Sequence, residues 1–209
     1  MRKPNAAYIA IAVGTSCMGA AQADILDNVY AGAGVGYASV QSPFTKAIAA
    51  LNGSDSGNGK VATGRVFTGY NVNEYLAVEL GFMQTGSISE TESGAVNGVN
   101  VTGMASQKTN GFDYSVLLHP SANGWMNKLF GRVGGTHLRT TTSYNASGAG
   151  ESINVSRDTR GSGWLAGVGY DYPVNKHLVL RGELSYYGKI SGKSSAHATV
   201  LGLNLIGRF

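Results

Sequence analysis

The chain has 209 residues, 13% of them charged, with 31 glycines, 11 tyrosines, a single cysteine and a formal net charge of +4. Mean hydropathy is near zero, which excludes a bundle of apolar membrane helices as well as a chain too polar to fold. No basic block or basic-aromatic stripe points to a nucleic-acid partner.

Met1 to Ala23 differs from the rest. Arg2 and Lys3 open it, Ala6 to Val13 is a short apolar run, and Ala21-Gln22-Ala23 is a small-x-small site before Asp24. This predicts a signal peptide for the Sec pathway, cleaved after Ala23. The run breaks at Gly14-Thr15-Ser16, well short of the roughly 20 residues an anchoring helix needs. The same three residues lack the leucine expected before a lipidated Cys17. Cleavage leaves residues 24–209 as one domain without cysteine, in which 14 cationic residues face 12 acids. Backbone pairing and packing, not disulfides, must then hold it together.

The mature chain alternates with a period of two, the mark of strands. In Asp27 to Val40, Val29, Ala31, Ala33, Val35 and Tyr37 alternate with Tyr30, Gly32, Gly34, Gly36 and Ala38. The Gly32–Gly36 run lacks the following helix that a phosphate-binding loop requires. Glycine at every second residue instead clears space on the inner face of a tightly curved sheet. Gln41 to Gly59 reads as a loop and Lys60 to Val72 as a second strand, with Arg65 and Phe67 opposite Val66, Thr68 and Tyr70. Tyr75 to Gln84 sets Leu76, Val78, Leu80 and Phe82 against Ala77, Glu79, Gly81 and Met83.

Thr85 to Lys108 is rich in Ser, Thr, Gly and Asn and reads as a second long loop, with some strand at its edges. Thr109 to Leu118 is a fourth strand, carrying Asp113 and Ser115 opposite Phe112, Tyr114 and Val116, and it stops at His119-Pro120. A fifth begins near Asn127, with Phe130 and Arg132 opposite Leu129 and Val133, and gives way to a polar stretch over about Thr140 to Asp158. Thr159 to Tyr172 puts Trp164, Ala166, Val168 and Tyr170 against Leu165, Gly167, Gly169 and Asp171. Lys176 to Lys189 sets Leu178, Leu180 and Leu184 against Arg181 and Glu183. The last segment, Ala196 to Phe209, aligns Leu201, Leu203, Leu205 and Phe209 on one face and Gly202, Asn204 and Arg208 on the other.

Eight strands with connections alternately short and long predict an all-β fold, an eight-stranded antiparallel up-and-down transmembrane β-barrel. Minimal hairpins collect on one membrane side and long loops on the other. A bilayer tolerates no open edge, so the last strand must close on the first. Tyr37, Tyr70, Tyr75, Phe82, Trp164, Tyr172 and Tyr186 suit the two interfacial girdles. A soluble β-sandwich is the competing fold, separable by heat-modifiable migration on unboiled gels.

The stretches GRVFTGYNVNEYLAVELGF (Gly64 to Phe82), LFGRVGG (Leu129 to Gly135), GVGYDYPVNKHLVLRGELSYY (Gly167 to Tyr187) and the terminal LNLIGRF resemble the OmpA/OmpX-like family of eight-stranded outer-membrane barrels across essentially the whole mature chain. Gly207 stands where that family often carries an aromatic residue, and Gly169 where it often carries a lumenal acid. With Phe209 as the last residue, the expectation is a transmembrane barrel only, without the peptidoglycan-binding domain of larger members. The resemblance implies a Gram-negative outer membrane, contact with its lipid and lipopolysaccharide, and delivery by the barrel-assembly machinery, with Leu201, Leu203, Leu205 and Phe209 as the C-terminal assembly signal. It also implies a monomer whose loops contact a host-surface or environmental ligand.

Glu79, Arg132, Arg181 and Glu183, with Arg65 and Asp113, all fall on the face opposite the lipid-like one. Buried charges must pair, which predicts an ion-pair ladder filling the lumen; the alternative is a gate or ion path. Eight strands enclose only enough room for side chains, which favours filling. His119, His137, His177 and His197 show no metal-ligand spacing, and no cofactor is expected. His137 with Thr140 or Ser143 could form a hydrolytic pair like that of lipid-modifying barrels, but no surrounding motif supports an enzyme. The sequons at Asn145 and Asn154 carry no weight in a bacterial chain. The favoured function is structural and surface-exposed, with adhesin-like loops; the alternatives are a small-solute or ion pore and, behind it, a lipid-modifying enzyme.

Overall fold

The computed structural model describes residues 28–41, 58–96, 99–148 and 151–209. The expected signal peptide and most of the first loop lie outside the described residues. Among the described residues nine strands run in chain order: β1 Val29–Gln41, β2 Asn58–Asn71, β3 Leu76–Thr85, β4 Ile88–Val96, β5 Val99–Leu118, β6 Leu129–Gly148, β7 Glu151–Pro173, β8 Leu178–Gly188 and β9 His197–Arg208.

Eight of them form a closed antiparallel ring in the order β3-β2-β1-β9-β8-β7-β6-β5, with β5 returning to β3. The ring closes where expected, because β1 pairs with β9 from Tyr30↔Arg208 to Gln41↔His197. The ninth strand is a continuation. β3 breaks at Gly86-Ser87 and resumes as β4, and both lie along β5, β3 against Asn110–Leu118 and β4 against Val99–Gln107.

The expected loops over Thr85 to Lys108 and Thr140 to Asp158 are therefore replaced by paired strand. β6 and β7 stay in register from Leu129↔Tyr170 to Gly148↔Glu151. At about 3.3 Å per residue, the 20 residues of β6 run roughly 65 Å, about twice what a tilted crossing of about 10 residues requires. The outer part stands clear of lipid. There neither face must be apolar, so the threonine- and serine-rich sequence keeps β structure while losing the alternation by which a strand is recognised.

Two turns at the opposite end are built alike. Asn73 Oδ1 accepts from the Tyr75 amide, and Asn175 Oδ1 from the His177 amide, both at 2.8 Å. Each is an Asx turn closing a Val-Asn-x-x-Leu segment.

The wall has a lipid face and a packed interior. Val35, Val66, Leu80, Val133, Val168, Leu184, Leu201, Leu203 and Leu205 are exposed on the outside, as the alternation predicts for a wall solvated by acyl chains. Phe82 and Phe112 meet edge to face at 5.2 Å, and Trp164 leans on Tyr186 at 5.3 Å. With Tyr37 and Tyr114 they make one aromatic belt; Tyr70, Tyr75 and Tyr172 lie toward the short turns. The glycines of β1 face inward, and a Cβ there would strike the Phe67 ring at Gly32 and Asn204 at Gly34. The strand can curve because those positions are empty.

Candidate functional site

The interior is filled in three layers. At the short-turn end Tyr30, Phe67, Ala77, Leu117, Phe130, Val179 and Ile206 form an apolar floor. At the extended end Val40, Val61, Met83, Leu138, Leu165, Tyr187, Ile190 and Val200 form an apolar lid. Between them lie the charges.

The structure brings all six residues singled out by alternation into one chain of ion pairs. Arg65 on β2 reaches across β3 to Asp113 on β5 with two bonds, Nη2 to Oδ1 at 2.7 Å and Nε to Oδ2 at 3.1 Å. It also meets Glu79 at 3.1 Å. Arg132 joins Asp113 at 2.5 Å to Glu183 at 2.7 Å, and Arg181 joins Glu79 to Asp171. The space for the first bridge is made by Gly81, where a Cβ would sit 2.8 Å from Arg65 Nη2 and 2.9 Å from Asp113 Oδ2. Asp113 and Arg132 are almost wholly shielded, and in so dry a lumen only paired charges are tolerable.

Asp171 was not among the expected charges. It shares the inward face of β7 with Leu165, Gly167 and Gly169, so strand parity alone would have placed it inside. Neutral groups complete the set: Tyr30 donates to Glu79 at 3.0 Å, Arg132 Nε to Ser115 at 2.9 Å and Ser185 to Glu183 at 2.8 Å. The guanidinium of Arg65 lies 4.4 Å over Phe67 and that of Arg181 lies 4.5 Å over Phe130, so the aromatic floor also supports the cations. Gly169 faces inward beneath the Phe130 ring. The acid that the resemblance implies at 169 is absent there, and Asp171, two residues on, bonds to Arg181.

The packing leaves little space. Arg65 Nη1 and Glu183 Oε2 have no partner among the described residues, and both residues line a cavity of about 20 Å³ with Thr63 and Asn204, the size of one water molecule. A second cavity of about 20 Å³ lies within the lid. The connection after β8 folds into the extended mouth. Ile190 and Ser191 are buried, Ser191 bonds to Thr140 at 2.8 Å, and Thr140 bonds to Thr109 at 3.0 Å.

His137 pairs with neither Thr140 nor Ser143, the two hydroxyls weighed beside it. Thr140 points inward into this hydroxyl chain, and Ser143 bonds across to Ser156. His137 faces outward with Nδ1 3.3 Å from Ser162 Oγ. No carboxylate bonds to His137, and no group of three or more metal-ligating side chains occurs, among the described residues. On the same outer surface Arg139 pairs with Asp158, which Thr141 also meets at 2.6 Å. The Arg139 hydrogen bond holds the Asp158 carboxyl below its ordinary range. On the terminal strand Leu201, Leu203, Leu205 and Phe209 are exposed on the outside, Asn204 and Ile206 are buried, and Arg208 is at the rim.

A family model for the OmpA-like transmembrane domain matches residues 24–206. Among solved structures the chain is similar to Ail, the attachment invasion locus protein of Yersinia pestis, with a TM-score of 0.50 at 14% identity over 88% of this chain and 99% of that one. It is also similar to Neisserial surface protein A, TM-score 0.42 at 16% identity over 87% and 97%. The N-terminal β-barrel domain of Pseudomonas aeruginosa OprF gives 0.42 at 12% identity over 88% and 98%. No curated protein matches the chain. The chain belongs to the OmpA-like transmembrane domain family and is a β-barrel protein of the Gram-negative outer membrane.

Proposed function

We propose that this protein is a closed, stiff barrel whose work is done outside the membrane. Its lumen is filled for structure, and its long hairpins are presented to the surroundings. The observation that carries this is the layering of the interior: an ion moving along the axis would meet an apolar floor, seven paired charges and an apolar lid, with no cavity above about 20 Å³ in either of the spaces described. The charged network of Glu79, Arg132, Arg181, Glu183, Arg65 and Asp113, extended by Asp171, serves in this reading to fix strand register rather than to conduct. The strands that outrun the bilayer, β5, β6 and β7, supply the binding surface. Ail, similar in fold, is named for attachment and invasion and is known in complex with a heparin analogue, which makes a surface ligand the favoured role for those hairpins here.

The reading includes a monomer, exported through the Sec pathway after cleavage at Ala23 and inserted by the barrel-assembly machinery through Leu201, Leu203, Leu205 and Phe209. The test has two arms. Refolded protein in a planar bilayer should give no discrete channels, and shortening the β6–β7 hairpin by residues 142–157 should abolish cell-surface adhesion while heat-modifiable migration persists. Discrete single-channel steps would replace this reading with the pore. Adhesion unchanged by that deletion, or absent from the parent, would remove the surface role. The enzyme class predicts an altered lipid A mass in expressing cells, sensitive to His137→Ala.

A further inference from the structure

Residues 189–196 connect β8 to β9 as a strap folded down into the extended mouth. The last cross-strand pair before it is Gly188↔His197, so the strap lies outside the ladder that closes the ring. Its backbone bonds close on the strap itself: Ile190 donates to the Ala196 carbonyl at 3.0 Å, Lys193 to that of Ile190 at 3.0 Å, and Ala196 to that of Lys193 at 3.1 Å. Among the described residues its one polar tie to the wall is Ser191 Oγ to Thr140 Oγ1 at 2.8 Å. The strap can therefore move as a unit without breaking a backbone bond of the barrel.

Seat and strain oppose each other here. Ile190, Ser191 and Ala196 are buried while Gly192 to Ser195 are exposed, and Ile190 lines an apolar pocket with Val40, Met83, Leu138, Tyr187 and Val200. Two inward-facing glycines of β7 make room for the strap. A Cβ at Gly161 would lie 2.5 Å from the Ser191 carbonyl carbon, and one at Gly163 would lie 2.4 Å from the Gly188 carbonyl oxygen. Against this, Lys189 and Ser191 are the two non-glycine residues with positive φ among those described, at 57° and 51°. Left-handed backbone is costly for a residue that carries a Cβ, and it persists only where the surroundings enforce it. One aliphatic side chain and one hydroxyl bond hold two strained residues in place, the weak end of the stability range from which moving elements are drawn.

We propose that residues 189–196 are a strap that lifts out of the mouth while the barrel stays folded, exposing the apolar pocket beneath Ile190 to the outside. The hinges are Gly188 and Ala196, at the two points where the β8–β9 ladder stops. Lifting leaves the apolar floor and the charge ladder untouched, so no axial path opens. What changes is the outer end alone, where an apolar side chain and an apolar pocket replace a sealed rim. The device stands whether or not the hairpin tips bind a ligand.

The test uses the full chain in lipid nanodiscs, with Cys17→Ser so that an introduced thiol is the only one. Ala198→Cys puts that thiol in the pocket, where residue 198 is buried, and Ser194→Cys puts it on the exposed crown of the strap. A charged maleimide too large for a water-sized cavity should label Ala198→Cys about 10- to 1,000-fold more slowly than Ser194→Cys, the ratio giving the lifted fraction. Adding Ile190→Ala should raise the slower rate about tenfold or more. Thr140→Val, which removes the tie to Ser191, should raise it with Ile190 intact and keeps the test readable if Ile190→Ala does not fold. Lys189→Asn, a residue at ease in left-handed backbone, should lower it. Heat-modifiable migration should persist throughout, and labelling should climb with urea far less steeply than global unfolding does. Equal labelling of the two positions in the parent would overturn the proposal, because the strap would then not be seated. A urea dependence as steep as that of global unfolding, or a rate untouched by both Ile190→Ala and Thr140→Val, would overturn it equally, because the strap would then not lift.

Discussion

Arg132 is the residue on which the ladder most depends, and Arg132→Met is the substitution that shows it. The four carboxylates Glu79, Asp113, Asp171 and Glu183 face three guanidiniums, so the ladder carries a formal charge of −1, and the substitution takes it to −2. Asp113 retains its two bonds from Arg65. Glu183 does not fare so well: its guanidinium is gone and only the Ser185 hydroxyl at 2.8 Å remains. Leaving one partner of a buried pair uncompensated costs about 3–5 kcal/mol, and a single neutral hydrogen bond offsets only about 1 kcal/mol of that. The expected loss is about 2–4 kcal/mol, read as a shift of the urea midpoint for unfolding from lipid vesicles, followed by tryptophan fluorescence and by heat-modifiable migration. Adding Glu183→Gln removes the orphaned charge, and the double variant should recover about 2 kcal/mol, a coupling within the range found for residues in contact. A loss below about 1 kcal/mol for Arg132→Met, or strictly additive effects in the double variant, would refute the view that the ladder holds the lumen together through paired charge.

Three further outcomes follow from the same geometry. Gly34→Ala should destabilise the barrel by about 1–3 kcal/mol through overpacking, since its Cβ would lie 2.1 Å from Asn204 Oδ1 and 2.5 Å from the Leu203 carbonyl oxygen, whereas Gly131→Ala, where a Cβ meets nothing within 4 Å, should be neutral in the same urea titration. His119, past the end of β5 and 6.1 Å from the Phe130 ring, is held below its ordinary pKa mainly by burial; the unfolded chain therefore binds its proton more readily, so the stabilisation is complete above the unfolded value near 6.5 and is lost as pH falls below it. His119→Gln should flatten that part of the stability profile, and an unchanged profile would count against the assignment. Deleting Phe209 should lower the amount of heat-modifiable protein in the outer membrane more than any hairpin deletion does, and Gly207→Phe should raise it, because a Cβ at Gly207 meets only the Ala31 carbonyl oxygen at 3.9 Å.

Within the bilayer, the chain could be read residue by residue. Lipid demands an apolar outer face, and a narrow lumen demands small or pairable side chains inside. Alternation therefore carried both the strand order and the inward parity of Glu79, Asp113, Arg132 and Arg181. Asp171 obeys the same parity, on the inner face of β7. Outside the bilayer, that legibility ends. Thr140 to Asp158 gives no alternating signal because water solvates both faces of a hairpin equally, and the pairing there is held by backbone bonds and by contacts such as Arg139 with Asp158.

The sequence by itself determined the architecture, because a span that must satisfy every backbone group against hydrocarbon leaves a ring of alternating strands as the one arrangement these residues can adopt. Which carboxylate meets which guanidinium, that His137 reaches Ser162 and not Thr140, and that Ser191 bonds to Thr140 in the mouth were decided only by tertiary structure. Those pairings depend on the stagger between neighbouring strands and on the curvature that glycines permit, both properties of the closed ring and of no single strand.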